Sequence, residues 1–146
     1  MLFLIVMTSC SLETYTTRKN NANQEILSYL DTKQNSSGLV YIPINPGEGD
    51  TPQLGDKVAF HYKGYYLNGE VFDSSYDKSY PLIVEIGNGM IINGLEESLL
   101  LMNKGAKAKV IIPFYLAYND MENAPVPPYS NLIFELEMID FIKNTQ

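Results

Sequence analysis

Residues 90–105, MIINGLEESLLLMNKG, form the only clearly helical run in the second two-thirds of the chain. Leu95, Leu99 and Met102 recur at i, i+4 and i+7, which places them on one face of a helix. The sequence on both sides of this run has the pattern of strands and turns. One short, largely apolar helix among many strands predicts a sheet that wraps around the helix.

Charged residues and a glycine mark the ends of the predicted helix. Glu96 and Glu97 lie in its first turn and Lys104 in its last, the order of charges that suits the helix dipole. The two glutamates are therefore interpreted as helix-end charges and not as an acid–base pair. Gly105 is expected to end the helix in a left-handed conformation.

Alternating apolar residues predict strands around the helix. In the run 57–67, KVAFHYKGYYL, the side chains of Val58, Phe60 and Tyr62 share one face. Asn68-Gly69 is typical of a two-residue type I′ hairpin turn. Further strands are predicted at 39–44, 70–72, 82–86, 106–112 and 132–138. Five or six antiparallel strands with one central helix predict an α+β fold.

The composition excludes several classes of function. The chain has 146 residues, enough for one domain and a tail, and its net charge of −7 argues against nucleic acid as a partner. Cys10 is the only cysteine and His61 the only histidine, which excludes a disulfide within the chain, most zinc sites and most Ser/His or Cys/His nucleophiles. Because His61 lies on the opposite strand face from Tyr62, a structural role is expected. We expect no metal and no cofactor.

The first ten residues, MLFLIVMTSC, have the pattern of a sorting signal. They resemble the end of a bacterial lipoprotein signal peptide, in which the cysteine after an apolar run is lipidated, with 7–10 as the lipobox and Cys10 as the lipidation site. Met7 stands where Leu is usual, and no basic residue precedes the run. The run is shorter than the about 20 residues that span a bilayer. The alternative is an apolar strand with a buried free cysteine.

Residues 11–37 are interpreted as a tether and a short helix, and residues 38–146 as the folded domain. The polar composition of 11–23 is typical of a tether. Residues 23–33, NQEILSYLDTK, predict about three helical turns that either pack on the domain or form a dimer contact. The cluster 34–38, QNSSG, marks the domain boundary.

Five blocks of sequence occur in an order and at a spacing that resemble a known family. They are HYKGYYLNGEVFDSS (61–75), IGNGMIINGLEESLLLMNKGAKAKVIIP (86–113), LAY (116–118), VPP (126–128) and LIFELEMIDF (132–141). Together they resemble the FKBP-type peptidyl-prolyl isomerases, over a span from about Leu39 to Phe141. The resemblance implies a strongly twisted antiparallel half-barrel sheet wrapped around one short α-helix, in agreement with the pattern of strands.

The same resemblance assigns roles to ten residues. The residues that it implies as catalytic are Tyr62, Phe72, Asp73, Ile92, Tyr118 and Phe134. The residues that it implies as substrate-binding are Leu82, Ile91, Leu95 and Val126. In the family pattern, the backbone N–H of Ile92 holds a substrate carbonyl, and Asp73 and Tyr118 supply the polar groups at the pocket mouth. Leu95 forms the floor, and Val126 leans over the site.

The resemblance implies an isomerase that acts on proline-containing polypeptides. Rotation about an Xaa–Pro bond has a barrier of about 20 kcal/mol and breaks no bond, so it needs no nucleophile, metal or cofactor. A dry apolar pocket disfavours the charge-separated planar amide and thereby favours the twisted transition state. Together with the lipobox, this pattern implies folding of exported proteins by a Bacteroidetes-like lipoprotein, anchored by Cys10 to the periplasmic side of the outer membrane in the cell envelope.

A second function of a different class is compatible with the same fold. It is a non-catalytic peptide-binding or chaperone module that supports an envelope or gliding-motility machine. Departures from the family pattern bear on this choice, since Leu95 stands where the pocket floor usually has Trp and Lys78 stands near the place of an Arg that pairs with the aspartate. The smaller floor implies weaker binding of macrolide immunosuppressants.

Overall fold

The computed structural model describes residues 35–145, together with Thr17 and Asn20, which are helical and exposed. Those two residues lie in the stretch that the sequence predicts as a tether. The predicted lipobox with Cys10 and the predicted helix at 23–33 lie outside the described residues.

Six antiparallel strands form one sheet in the described part of the chain. They are β1 (Val40–Asn45), β2 (Lys57–Tyr66), β3 (Val71–Ser74), β4 (Leu82–Glu85), β5 (Lys107–Ile112) and β6 (Leu132–Ile142). Their order across the sheet is β1-β5-β6-β2-β3, and β4 also pairs with β2. The α-helix in residues 35–145 is α1 (Asn93–Leu99), and short 3₁₀ helices follow β3 and β5 at Tyr76–Lys78 and Phe114–Leu116. The predicted α+β class is confirmed.

The core lies between α1 and the inner face of the sheet. Alternation along β2 and β6 sends every second side chain inward, so Phe60 and Met138 are fully buried. Leu99 and Met102 are fully buried in the same cluster, and Leu95 is nearly so. All three residues thus pack in one core cluster, although only Leu95 and Leu99 lie on α1. Gly94 allows the close approach of helix and sheet, because a Cβ at this position would overlap the Ile112 side chain of β5.

The helix is shorter than the sequence predicts. It ends at Leu99, and the next turn tightens, because Leu101 N–H donates to Ser98 O at 3.1 Å and Met102 N–H to Leu99 O at 3.1 Å. The prediction that Gly105 ends the helix is wrong. Gly105 has a φ of +74°, but it lies beyond the helix, and its N–H donates to Met138 O of β6.

The hairpin between β2 and β3 also differs from the prediction. A type I′ turn needs a positive φ at both central residues, and Asn68 is not among the residues with positive φ. Gly69 has a φ of +89°, and its N–H donates to Tyr66 O at 2.9 Å. Tyr66 N–H donates in turn to Glu70 O at 2.8 Å, which closes a three-residue loop with a glycine bulge. The return strand accordingly starts later and extends to Ser74.

On the outer face of the sheet, polar side chains of β2, β5 and β6 lie beside an apolar cluster that includes Val40 and Ile111. Lys107 pairs with Glu137 at 3.3 Å and Lys109 with Glu135 at 3.1 Å across β5 and β6. His61 bonds to Ser75 Oγ at 2.9 Å and stacks on the Tyr76 ring. The structural role that the sequence predicts for His61 is consistent with these contacts.

Candidate active site

A cavity of about 530 Å³ opens at the N-terminal end of α1, between strands β2, β3 and β6 and the loops before α1 and after β5. The residues that line it are Tyr62, Phe72, Asp73, Leu82, Gly89, Met90, Ile91, Ile92, Asn93, Leu95, Ala117, Tyr118, Met121 and Phe134. Most of these side chains are apolar, and the polar ones are few. Cavities of this size and composition are typical of sites that bind a small apolar group in a fixed orientation.

Three aromatic rings form the wall on the side of the sheet. Phe72 meets Phe134 edge to face, with ring centroids 5.6 Å apart, and Tyr62 lies 6.1 Å from Phe134. Tyr62 and Phe134 reach the cavity because inward positions alternate along β2 and β6. Phe72 comes from β3, which pairs with β2.

Gly64 leaves room for this aromatic wall. It is an inward position of β2, and a Cβ there would lie 2.6 Å from Phe72 Cζ and 3.0 Å from Phe134 Cε1. Any larger residue would therefore displace the rings. Sequence reasoning did not identify Gly64, although a glycine inside an alternating strand is a signal of close approach.

The polar part of the site begins with a hydrogen bond between Tyr62 and Asp73. The Tyr62 hydroxyl donates to Asp73 Oδ2 at 2.6 Å, and Asp73 Oδ1 accepts from Ser74 N–H at 2.9 Å. Burial, together with the bond to the Asp73 carboxylate, raises the pKa of Tyr62 well above its ordinary value. Tyr62 therefore stays protonated, and it holds the carboxylate at the edge of the cavity.

Two further hydrogen-bond donors face no partner within residues 35–145. The Tyr118 hydroxyl bonds to none of these residues, and burial together with the charge of Asp73 raises the pKa of Tyr118. The Ile92 N–H likewise donates to none of them, whereas the Ile92 carbonyl accepts from Leu95 N–H at 3.0 Å. The cavity thus presents a hydroxyl and a backbone N–H that are able to bind carbonyl oxygens.

Nine of the ten predicted site residues line the cavity, and Val126 does not. Val126 is 6% exposed and packs in the hydrophobic core with the inward side chains of the sheet. Val126 is therefore part of the core in this structure, and its contact with a bound substrate stays a prediction. Although Val126 belongs to a loop, its apolar side chain packs into the core.

Lys78 contacts the site only loosely. Its Nζ lies 4.0 Å from Asp73 Oδ1, and both side chains are substantially exposed. Such a pair contributes little to stability.

Five lining residues were not predicted from the sequence. They are Gly89, Met90, Asn93, Ala117 and Met121. Three of them are direct neighbours of predicted site residues, which is the signal that could have identified them: Met90 precedes Ile91, Asn93 follows Ile92, and Ala117 precedes Tyr118.

The described residues contain neither a cluster of metal-ligand side chains nor a helix that could span a membrane. In residues 35–145, no three His, Cys, Asp or Glu side chains are grouped so that they could hold a metal ion. No helix in the described part of the chain is long and apolar enough to cross a membrane.

Comparisons with known proteins find one family. The model for FKBP-type peptidyl-prolyl cis-trans isomerases matches residues 48–139. The chain is 38% identical to the isomerase FkpA of Escherichia coli (strain K12) over 108 residues, which are 74% of this chain and 39% of FkpA. It is 40% identical to FK506-binding protein 2 of Debaryomyces hansenii over 86 residues, 59% of this chain and 64% of that protein.

The solved structures agree with the sequence comparisons. The crystal structure of FkpA from Escherichia coli matches with a TM-score of 0.81 at 30% identity, over 90% of this chain and 62% of that chain. The aligned part of this chain corresponds to less than half the full length of FkpA.

Proposed function

Because the chain belongs to the FKBP-type peptidyl-prolyl cis-trans isomerase family, we propose that it accelerates the isomerisation of Xaa–Pro bonds in polypeptides. The observation that carries the proposal is the cavity itself, where three aromatic rings enclose an apolar space beside two donors that bond to no residue in 35–145. Its substrates are proline-containing polypeptides, with the proline ring in the cavity. The reaction needs no cofactor.

The proposed mechanism is non-covalent. The barrier of about 20 kcal/mol comes from the partial double bond of the amide, and this resonance is lost when the bond is twisted. The planar amide separates charge and is favoured by water, so a dry cavity favours the twisted amide over it. Phe72 and Phe134 enclose the proline ring, and the Ile92 N–H and the Tyr118 hydroxyl bind substrate carbonyls. Tyr62 holds Asp73 in place at the edge.

A proline-limited refolding assay tests this proposal. We expect wild type to accelerate the slow refolding phase, and Phe72→Ala and Asp73→Ala to reduce that acceleration by roughly 10-fold or more, because aligned groups in an active site contribute about this much. Ile44→Ala, an exposed change on β1 away from the cavity, is the matched control. No acceleration by wild type, or equal rates for all variants, would overturn the isomerase proposal.

The same assay addresses the non-catalytic alternative. Leu95 at the cavity floor is the feature that favours it, since the family pattern has a larger aromatic residue there. A peptide-binding or chaperone module that supports an envelope or gliding-motility machine would bind unfolded chains without accelerating the proline-limited phase. Binding measured alongside refolding therefore separates the two functions.

Macrolide binding is proposed to be weak. The relative from Debaryomyces hansenii is named as an FK506-binding protein. In this chain Leu95 lines the cavity, and its smaller side chain covers less of a bound macrolide than an indole would. Leu95→Trp should tighten FK506 binding in a calorimetric titration. Unchanged affinity would contradict the role of Leu95 as the floor.

The cellular location is proposed from the N-terminal sequence alone. Residues 7–10, MTSC, resemble a lipobox, which supports a lipid anchor at Cys10 and a place in the cell envelope, on the periplasmic side of the outer membrane. The clients would then be exported proteins, as expected of a Bacteroidetes-like lipoprotein. Mass spectrometry of the mature protein from its native membrane tests this. Acyl chains on Cys10 would support the anchor, and an unmodified soluble chain would exclude it.

A further inference from the structure

The methionines in the described part of the chain fall into two groups. Met102 and Met138 are fully buried in the core. Met90 and Met121 are 66% and 61% exposed, and both line the cavity. Exposed methionine in residues 35–145 is therefore found only at this site. Apolar surface is costly to leave in water, so two exposed methionines at the rim of one cavity point to a binding role.

The backbone of each exposed methionine is held by a hydrogen bond, and its side chain is largely exposed. Met90 N–H donates to Asn88 Oδ1 at 3.1 Å, in the loop that leads to α1. Met121 N–H donates to Tyr118 O at 2.9 Å, which ties Met121 to a residue of the cavity wall. Both side chains thus start from fixed points on two different loops. Methionine has three rotatable bonds and a polarizable sulfur, so it adapts to ligand groups of different shape.

We propose that Met90 and Met121 form an adaptable apolar subsite for the side chain of a residue that flanks the proline. This inference rests on the proposed function, because it needs a proline-containing chain in the cavity. The two methionines lie at the exposed rim, whereas the aromatic wall lies deeper, so a ligand seated on the wall extends past them. The subsite selects apolar neighbours of proline and accepts several shapes of them.

The charges at the same rim agree with an apolar occupant. Asp120 and Glu122, on either side of Met121, are exposed. Asp73 lies at the other polar part of the cavity edge. An acidic neighbour of proline would meet these like charges, whereas an uncharged apolar side chain covers the methionines without that repulsion.

Exchange NMR on short peptides tests the subsite. Two series are used, Ala-Xaa-Pro-Ala and Ala-Ala-Pro-Xaa, with Xaa either Ala or Leu, and the quantity compared is the Leu/Ala ratio of catalysed exchange rates. We expect wild type to favour Leu in at least one series. The double variant M90Q/M121Q should lower that ratio roughly 3- to 10-fold, less than the ~10- to 200-fold that a closed pocket gives per methylene.

Two controls separate apolar contact from other effects. M90L/M121L should keep the wild-type ratio within about twofold, because leucine preserves the apolar surface of the rim. Ile44→Gln replaces an equally exposed apolar residue on β1 and should leave the ratio unchanged. The subsite is overturned if M90Q/M121Q keeps the wild-type ratio in both series, or if M90L/M121L falls as far as M90Q/M121Q.

The outcome for the proposed function is read separately. Catalysis of Ala-Ala-Pro-Ala by wild type reports the isomerase activity, and the Leu/Ala ratio reports the subsite. If wild type does not catalyse exchange of that peptide, the isomerase proposal fails. The subsite is then tested by chemical-shift titration of the same peptides, which gives the Leu/Ala ratio of dissociation constants for wild type and M90Q/M121Q.

Discussion

Strands β2 and β6 send alternate side chains to opposite faces of the sheet, and the two faces differ in chemistry. On the inner face, Phe60 and Phe134 are buried, and Tyr62 carries a hydroxyl into this apolar surface. On the outer face, Glu135 and Glu137 form ion pairs and hydrogen bonds with lysine and tyrosine side chains at the protein surface. A shift of one residue in register would exchange the two faces.

The difference shows how few polar groups the site needs. In water, outer-face pairs are screened and contribute little each. On the inner face, the Tyr62 hydroxyl lies in a low-dielectric environment, where its bond to Asp73 is stronger and its pKa is raised. The proposed function accordingly relies on only three polar groups to orient a peptide, namely the Asp73 carboxylate, the Tyr118 hydroxyl and the Ile92 N–H.

The largest expected difference between the faces is in stability. Phe60 is fully buried, so Phe60→Ala removes a ring from the core and should lower the free energy of unfolding by about 3–5 kcal/mol. His61→Ala, the next residue on the outer face, should cost less than about 1 kcal/mol. Urea denaturation of both variants measures this contrast. Equal losses would show that the outer face is as tightly packed as the inner one.

Gly64→Ala tests the aromatic wall more finely. The new Cβ would overlap the Phe72 ring, so we expect a loss of about 1–3 kcal/mol in the free energy of unfolding and a lower refolding acceleration because the wall moves. Lys63→Ala, on the outer face, is the matched control and should leave both quantities nearly unchanged. If Gly64→Ala changes neither the free energy of unfolding nor the refolding acceleration, the aromatic wall can accommodate a methyl group at this position.

The sequence predicted the inner face well because alternation alone determines it. A half-buried strand must place every second side chain inward, so the positions of Phe60, Tyr62 and Phe134 follow from local pattern. The need for glycine at Gly64 could not be predicted in this way. It depends on the Phe72 ring from the next strand, a contact between elements that the pattern of one strand does not contain.

The loops and the helix end were predicted less well for a related reason. The apolar stripe continues to Met102 and so predicts a longer helix, but the backbone changes to three-residue hydrogen bonds after Leu99 while Met102 stays buried. Burial of a side chain does not require a helical backbone. Val126 shows the same limit, because its loop has no period and the core determines where its side chain packs.

Removing the Tyr62 hydroxyl should have a smaller effect on stability than these packing changes. Tyr62→Phe deletes the bond to the partly exposed Asp73 and should cost about 1 kcal/mol at pH 7. The folded protein holds the pKa of Tyr62 above its unfolded value of 10.0, so the unfolded chain loses its proton first as the pH rises past that value. Above pH 10 the free energy of unfolding of wild type therefore falls, and its difference from that of Tyr62→Phe should become smaller.

Denaturation curves of wild type and Tyr62→Phe at pH 7 and pH 11 measure that difference. A gap that stays constant between the two pH values would show that Tyr62 ionises alike in the folded and unfolded chains. Tyr118→Phe is a useful comparison, because its hydroxyl bonds to no residue in 35–145, and it should cost less stability at pH 7.

The smallest expected effect is on the outer face, at acid pH. The Tyr76 hydroxyl donates to Glu137 Oε2 at 2.8 Å, and this bond, with the nearby Lys107, lowers the pKa of Glu137 below its ordinary 4.5. A carboxyl with a lowered pKa stabilises the fold at pH values above the unfolded pKa, and this contribution is lost as the pH falls through the folded pKa. Tyr76→Phe removes the bond but keeps the ring on His61, so it should cost less than about 1 kcal/mol at pH 7.

The pH dependence of this difference tests whether the contribution of the Tyr76 hydroxyl depends on the charge of Glu137. As the pH falls below 4.5, Glu137 takes up a proton in both proteins, so the stability gap between wild type and Tyr76→Phe should close. Added salt should weaken the contribution of Lys107 at this exposed face and change the part-buried Tyr62–Asp73 bond less, because ions screen exposed pairs more strongly. A gap that persists at low pH would show that the Tyr76 hydroxyl stabilises the outer face independently of the charge on Glu137, because both proteins keep the aromatic ring that stacks on His61.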